Sequence, residues 1–169
     1  MVQRVAASHR NGIIMAEQQE QPCFTVGVFQ DPYWAERGLA ALEEHGFAAG
    51  SLSLVAQSSP DVETLVQRTF GIGTEHAALE IPGLGATVAH GPLVEALQGT
   101  DGALAANGVA ATMRRAGFQA HDGFIFETLT SRGGILIAIE GEPRAADALA
   151  LLHAYGGGNA AIGAWRGRV

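Results

Sequence analysis

The sequence predicts an α+β fold in which two β-α-β units are separated by a long insertion rich in glycine and alanine. Three observations carry this. Residues 24–56 read as strand, helix, strand, and residues 134–165 read the same way. The stretch between them, about 57–133, is apolar and mostly helical in pattern, broken repeatedly by Pro and Gly. Two β-α-β units joined in this way make a split β-α-β sandwich, the ferredoxin-like arrangement, with the insertion between its second and third strands.

Residues 1–22 are expected to form an N-terminal arm, and 23–169 a single α+β domain. Ser8–Gly12 interrupts any apolar run of the signal-peptide kind, and Met15-Ala16-Glu17 reads as an alternative start. Phe24, Val26 and Val28 alternate with Thr25 and Gly27, the period of a half-buried strand. Asp31-Pro32 then supplies an N-cap followed by proline at the first helical position. The helix is expected over 32–45, with Ala35, Leu39 and Leu42 inward and Gly46 as its stop. Leu52, Leu54 and Ala56 alternate as a second strand.

Asp61 is expected to cap a short helix carrying Val62, Leu65, Val66 and Phe70 and ended by Gly71-Ile72-Gly73, in a stretch, 57–80, that reads as polar helix. The apolar segment Ile81–Leu97, IPGLGATVAHGPLVEAL, follows. Ala103–Ala116 reads as an alanine-rich helix broken at Asn107-Gly108. Its length, about 21 Å at 1.5 Å per residue, falls short of a hydrocarbon core of about 30 Å. His90 and Glu95 spoil a span in the preceding segment, so no transmembrane segment is expected. Residues 119–132 read as a helix. Ile135–Ile139 is apolar on both faces and should lie centrally in the sheet. Pro143 opens a helix to Tyr155, on the same sheet face as 32–45, and Ala160–Trp165 can form an edge strand.

These residues resemble a family. VGVFQDPYWAERGLAALEEHGF with its following strand, the central IPGLGATVAHGPLVEAL, the strand led by Arg132-Gly133-Gly134 and the helix Arg144–Tyr155 are similar to bacterial general stress proteins of the heat-induced YflT and 17M-like type. The resemblance covers about residues 24–56 and 81–155. Relatives often carry a glycine-zipper hairpin before the Ile-Pro-Gly, where this chain reads as a polar helix. Their acidic helix before the closing strand is replaced here by His121–Phe126. The family offers no catalytic residues to carry over, so the resemblance implies a non-enzymatic, stress-associated protein.

Composition bounds the partners. The 169 residues are 47% hydrophobic and 16% charged, with 23 glycines and a net charge of −7, and all ten basic residues are arginine. No basic cluster exceeds Arg114-Arg115, so neither nucleic acid nor an anionic lipid surface is an expected partner. The single Cys23 excludes an internal disulfide and paired-cysteine metal sites. A cytoplasmic protein without cofactor is expected.

No site signature stands out. His76 and Glu80 could share a helix face, but a third ligand is missing. His90 lies in the apolar centre, where a hydrogen-bonded core or interface histidine is the simpler reading. His121-Asp122 reads as a helix-start pair, and His45 and His153 as helix ends suited to the dipole. Gly-x-Ser-x-Gly and phosphate-cradle spacings are absent. Tyr33, Trp34, Phe124 and Phe126 read as core or subunit interface rather than a ligand platform.

Three functional readings follow, the third being a metal-dependent enzyme using His76, Glu80, His90 or His121. The first is a non-catalytic oligomer, a homodimer, whose central segment self-associates or docks to another protein, burying Leu84, Val88, His90, Leu93 and Leu97. Residues 81–117 carry Glu95, Asp101, Arg114 and Arg115 as their formal charges, so exposure on a monomer would leave a large apolar patch. The sheet's second face, apolar through Ile135–Ile139, also needs a cover, from the insertion folding back, from a second subunit, or, the favoured expectation, from both together in a homodimer. The second reading is a small-molecule-binding sensor with its cleft at a subunit junction.

Overall fold

The computed structural model describes residues 23–73, 77–141 and 144–163. In chain order the elements are β1 (Phe24–Phe29), α1 (Pro32–Glu44), β2 (Leu52–Gln57), α2 (Pro60–Phe70), β3 (Ala78–Ile81), β4 (Gly85–His90), α3 (Pro92–Gln98), α4 (Ala103–Asn107), α5 (Val109–Thr112), α6 (Ala120–Ser131), β5 (Ile135–Glu140), α7 (Ala145–Ala154) and β6 (Gly158–Ile162). Among the described residues no helix is long and apolar enough to cross a membrane.

All six strands form one antiparallel sheet in the order β3-β4-β2-β5-β1-β6. β5 lies between β1 and β2, pairing Gly27 with Ile137 on one side and Leu54 with Ile137 on the other. This is the central place that its two apolar faces predict. A plain four-stranded sandwich does not describe the sheet, because the insertion adds the hairpin β3–β4 beyond β2. The helix stops at Phe70 with Gly71 in the left-handed conformation, the expected end, but the reading of 57–80 as polar helix fails beyond it, because Ala78–Ile81 is strand.

β1 departs from its expected half-burial: all six of its residues are buried. Phe24, Val26 and Val28 face the layer made by the insertion, while Phe29 faces the opposite layer. Gly27 is small for a reason. A Cβ there would stand 3.3 Å from both Leu152 Cδ1 of α7 and Ala160 Cβ of β6.

Two layers cover the sheet. On one face α1, α2 and α7 contribute Leu39, Leu42, Leu65, Val66 and Leu152 against Leu52, Leu54, Ile137 and Ile139. The first and last of these helices therefore share a face, as the sequence predicts. On the other face the insertion folds back, setting Leu84, Leu93, Leu97, Leu104, Met113 and Phe126 against Val26, Val55, Leu136 and Ala138. Phe118 and Phe126 meet edge to face at 5.5 Å inside that layer.

Local chemistry explains most boundaries. Asp31 accepts a hydrogen bond from Trp34 N–H at 2.9 Å, with Pro32 at the first helical position, as expected for α1. For α2 the cap is Ser59 rather than Asp61: its hydroxyl accepts from Val62 N–H at 3.2 Å. The expected alanine-rich helix over 103–116 is three pieces, α4, α5 and a 3₁₀ turn Met113–Ala116, divided at Gly108. The last strand begins earlier than expected, at Gly158, and lies at the sheet edge as predicted. The expected start of the last helix at Pro143, and the end of the last strand at Trp165, lie outside the described residues.

Candidate functional site

The central segment serves first as architecture. Leu84, Leu93 and Leu97 are buried on the insertion side of the sheet, whereas Val88 is buried on the opposite side. Their burial is met within one chain and does not call for a second subunit. His90 pairs with Leu54 in the sheet and is half-buried, its ring 4.7 Å from that of Phe70 and tilted by 60°.

The motif's prolines and glycines build turns. Pro82-Gly83-Leu84 closes the β3–β4 hairpin, with Leu84 N–H donating to Ile81 C=O at 3.0 Å and Gly83 at φ 85°. Gly91 and Pro92 then turn the chain from β4 into α3. Glu127, on α6, reaches back toward this region: its Oε2 accepts from Ala110 N–H at 2.6 Å. That caps α5, whose own N-cap, Gly108, has no side chain to offer. Asp101 and Arg115 form a two-point pair, at 2.9 and 2.7 Å, that ties the loop after α3 to the 3₁₀ turn.

The metal candidates do not converge. Glu80 is exposed on strand β3, so it shares no helix face with His76, which itself lies outside the described residues. His121 Nε2 stands 3.2 Å from Asp122 Oδ1 at the exposed start of α6. His45 Nδ1 lies 2.7 Å from Ala41 C=O and His153 sits in the last turn of α7, as their positions predict. Among the described residues, no three His, Cys, Asp or Glu side chains are placed to hold a metal ion.

Chemistry on the surface gathers at the first turn of α1. Tyr33 is 58% exposed and Trp34 45%, and they are neighbours, whereas the other large exposed apolar side chains among the described residues are Phe124 on α6 and Ile162 on β6. The two rings meet edge to face, 5.3 Å apart at 80°. Arg37 lies one turn on and serves both. Its guanidinium carbon is 5.6 Å from the Tyr33 ring centre and 5.7 Å from that of Trp34, and its Nη1 donates to Tyr33 Oη at 3.0 Å.

An open cleft lies on each side of this turn. One, of about 420 Å³, is lined by Asp31, Tyr33, Glu36, Asp61 and Arg68, with Arg68 3.4 Å from Glu36. The other, of about 470 Å³, is lined by Gln30, Trp34, His153, Tyr155 and Gly156. Of the two places expected for Tyr33 and Trp34, core or subunit interface, their exposure excludes the core. Arg37 was missed, although its position four residues after Tyr33 places both on one helix face. Glu36, Asp61 and Arg68 come together through the packing of α1 on α2, which no local pattern announces. Phe126 is core and Phe124 is surface, so the four aromatics do not form one cluster.

Compared with family models, with curated proteins and with solved structures, the chain finds no match in any of the three.

Proposed function

We propose that this chain is a non-catalytic, stress-associated bacterial protein of the cytoplasm, of the YflT and 17M-like type, which works by associating with itself. One observation carries the reading. The residues that set the central motif apart, the Ile-Pro-Gly-Leu-Gly and Gly-Pro-Leu pieces, are occupied in building a hairpin and a strand-to-helix turn that close the sheet's second face. Their work is structural, which is what a family without catalytic residues implies. The core of the fold is read as a ferredoxin-like sandwich of β1, β2, β5 and β6. In support, β5 lies between β1 and β2, β6 pairs beside β1, and α1 and α7 cover one face. On that reading β3–β4 is an added hairpin.

The experiment is quantitative proteomics of the source bacterium before and after heat, salt and ethanol challenge. A several-fold rise of this protein under at least one challenge is expected; an unchanged level under all three overturns the stress reading. A second reading, a small-molecule-binding module, is favoured by the two clefts beside Tyr33 and Trp34, whose volumes fall in the range of ligand sites although both are open. Native mass spectrometry of the untagged protein separates the two, since a retained small molecule supports the second reading and a bare oligomer the first.

A further inference from the structure

We infer that the first turn of α1, with Tyr33, Trp34 and Arg37 at its centre, is the surface through which two copies of this chain meet around a twofold axis. The inference rests on the self-association proposed above and adds the place and the symmetry of the contact.

The large apolar side chains of the central segment, Leu84, Val88, Leu93 and Leu97, are buried within the chain, which leaves association to other side chains. The large apolar side chains exposed among the described residues are Tyr33, Trp34, Phe124 and Ile162, and the first two are adjacent. Trp, Tyr and Arg are the residue types that dominate the energy of protein contacts, and here all three occur within five residues of one helix. They are also held in place. Asp31 fixes the backbone of the turn, and Arg37 lies over both rings while donating to the Tyr33 hydroxyl. Side chains already ordered lose less freedom on association.

Charge favours a second copy as the occupant. The surrounding patch carries Arg37 and Arg68 against Asp31, Glu36 and Asp61, two positive groups against three negative. The patch is thus close to balanced on a chain whose net charge is −7. A basic partner would attract three of these groups and repel two, and an acidic one the reverse. A twofold contact satisfies both, because each residue pair then occurs twice with the roles exchanged. The sheet edges are poorer candidates. β6 is irregular, with a register shift opposite Val26–Val28 and Asn159 at φ 53°, and β3 is four residues long with Glu80 exposed on it.

The test is sedimentation velocity over micromolar concentrations on the full chain and four exposed-site variants, Tyr33→Asp, Trp34→Asp, Phe124→Asp and Ile162→Asp. The parent is expected to be a dimer. Tyr33→Asp and Trp34→Asp should each raise the dimer dissociation constant about thirtyfold or more with an unchanged far-ultraviolet circular dichroism spectrum, as for a loss at a contact centre. Phe124→Asp and Ile162→Asp should leave it unaltered. A dimer that survives both α1 variants, or one split by Ile162→Asp or Phe124→Asp instead, overturns the placement and leaves self-association standing. A parent that stays monomeric at every concentration overturns both.

Discussion

Ser53, in the middle of β2, accepts a hydrogen bond from Leu93 N–H at 2.9 Å and so caps α3 from a neighbouring strand rather than from its own chain start. The position before Pro92 cannot do this itself, because it is Gly91. A Cβ at Gly91 would lie 2.4 Å from Leu52 C=O and 2.5 Å from Ser53 Oγ, at a backbone φ of 109°. The cap and the glycine are one device: the chain passes so close to β2 that a side chain is excluded, and the strand supplies the missing acceptor.

Gly91→Ala should therefore be among the most damaging small substitutions in the protein. Its clash is with backbone, which cannot swing aside, and its φ is unfavourable; together these cost about 3 kcal/mol or more. Ser53→Ala leaves a buried N–H without its partner and should cost about 1–2 kcal/mol. Urea unfolding of both variants checks the order. Equal, negligible losses would show that α3 is not anchored to β2.

Glu127 joins α6 to α5 through its hydrogen bond with Ala110 N–H. As a charge-assisted cap it should be worth about 1.5–3 kcal/mol, so Glu127→Ala should lower stability by that order and Glu127→Gln by less. Thermal melts of the two variants check this, and identical melting temperatures for both and the parent would contradict it.

Asp101 and Arg115 set a pH dependence. The hydrogen bond from Arg115 holds the Asp101 carboxyl below the ordinary aspartate value, and the same pair raises Arg115. A carboxylate whose value is lowered by folding contributes stability above its unfolded value and loses that contribution as pH falls through its folded one. Asp101→Asn should accordingly melt slightly below the parent at neutral pH and converge with it in strong acid. The pair is exposed, so the gap should be small and should shrink in high salt. A gap that widens on acidification would contradict the assignment.

The histidines carry a prediction as well. With Glu80 on a strand and His121 paired at a helix start, the purified protein should hold no stoichiometric transition metal. Elemental analysis of untagged protein checks this, and near one equivalent of metal would contradict it.

How much of this was legible depended on the range of the interactions. α1 could be read because its signals are local: Asp31-Pro32 to start it, Gly46 to stop it, and an apolar stripe between. β5 could be read because a strand apolar on both faces has to be central. The β3–β4 hairpin was hidden because Ala78–Ile81 is only four residues long, too short for the alternation of Leu79 and Ile81 with exposed Ala78 and Glu80 to mark a strand by itself, and its pairing partner is what makes it one. Likewise Ser53 reads as the polar face of a half-buried strand. Its use as a cap depends on Leu93, forty residues away, which sequence pattern does not reach. The aromatic pair Tyr33–Trp34 could be named from composition, but its balanced charged surround depends on α1 packing against α2.

The central claim is that the insertion covers the second face of its own sheet. Its most direct test is an isotope-filtered NOE measurement on methyl-labelled protein mixed with an equal amount of unlabelled protein. Methyl contacts of Leu93, Leu97 and Leu104 with Val26, Val55 and Leu136 should appear within single chains and vanish from the spectrum filtered for contacts between chains. Contacts among those same methyls in the between-chain spectrum would show that the cover comes from a second copy, and would contradict the account.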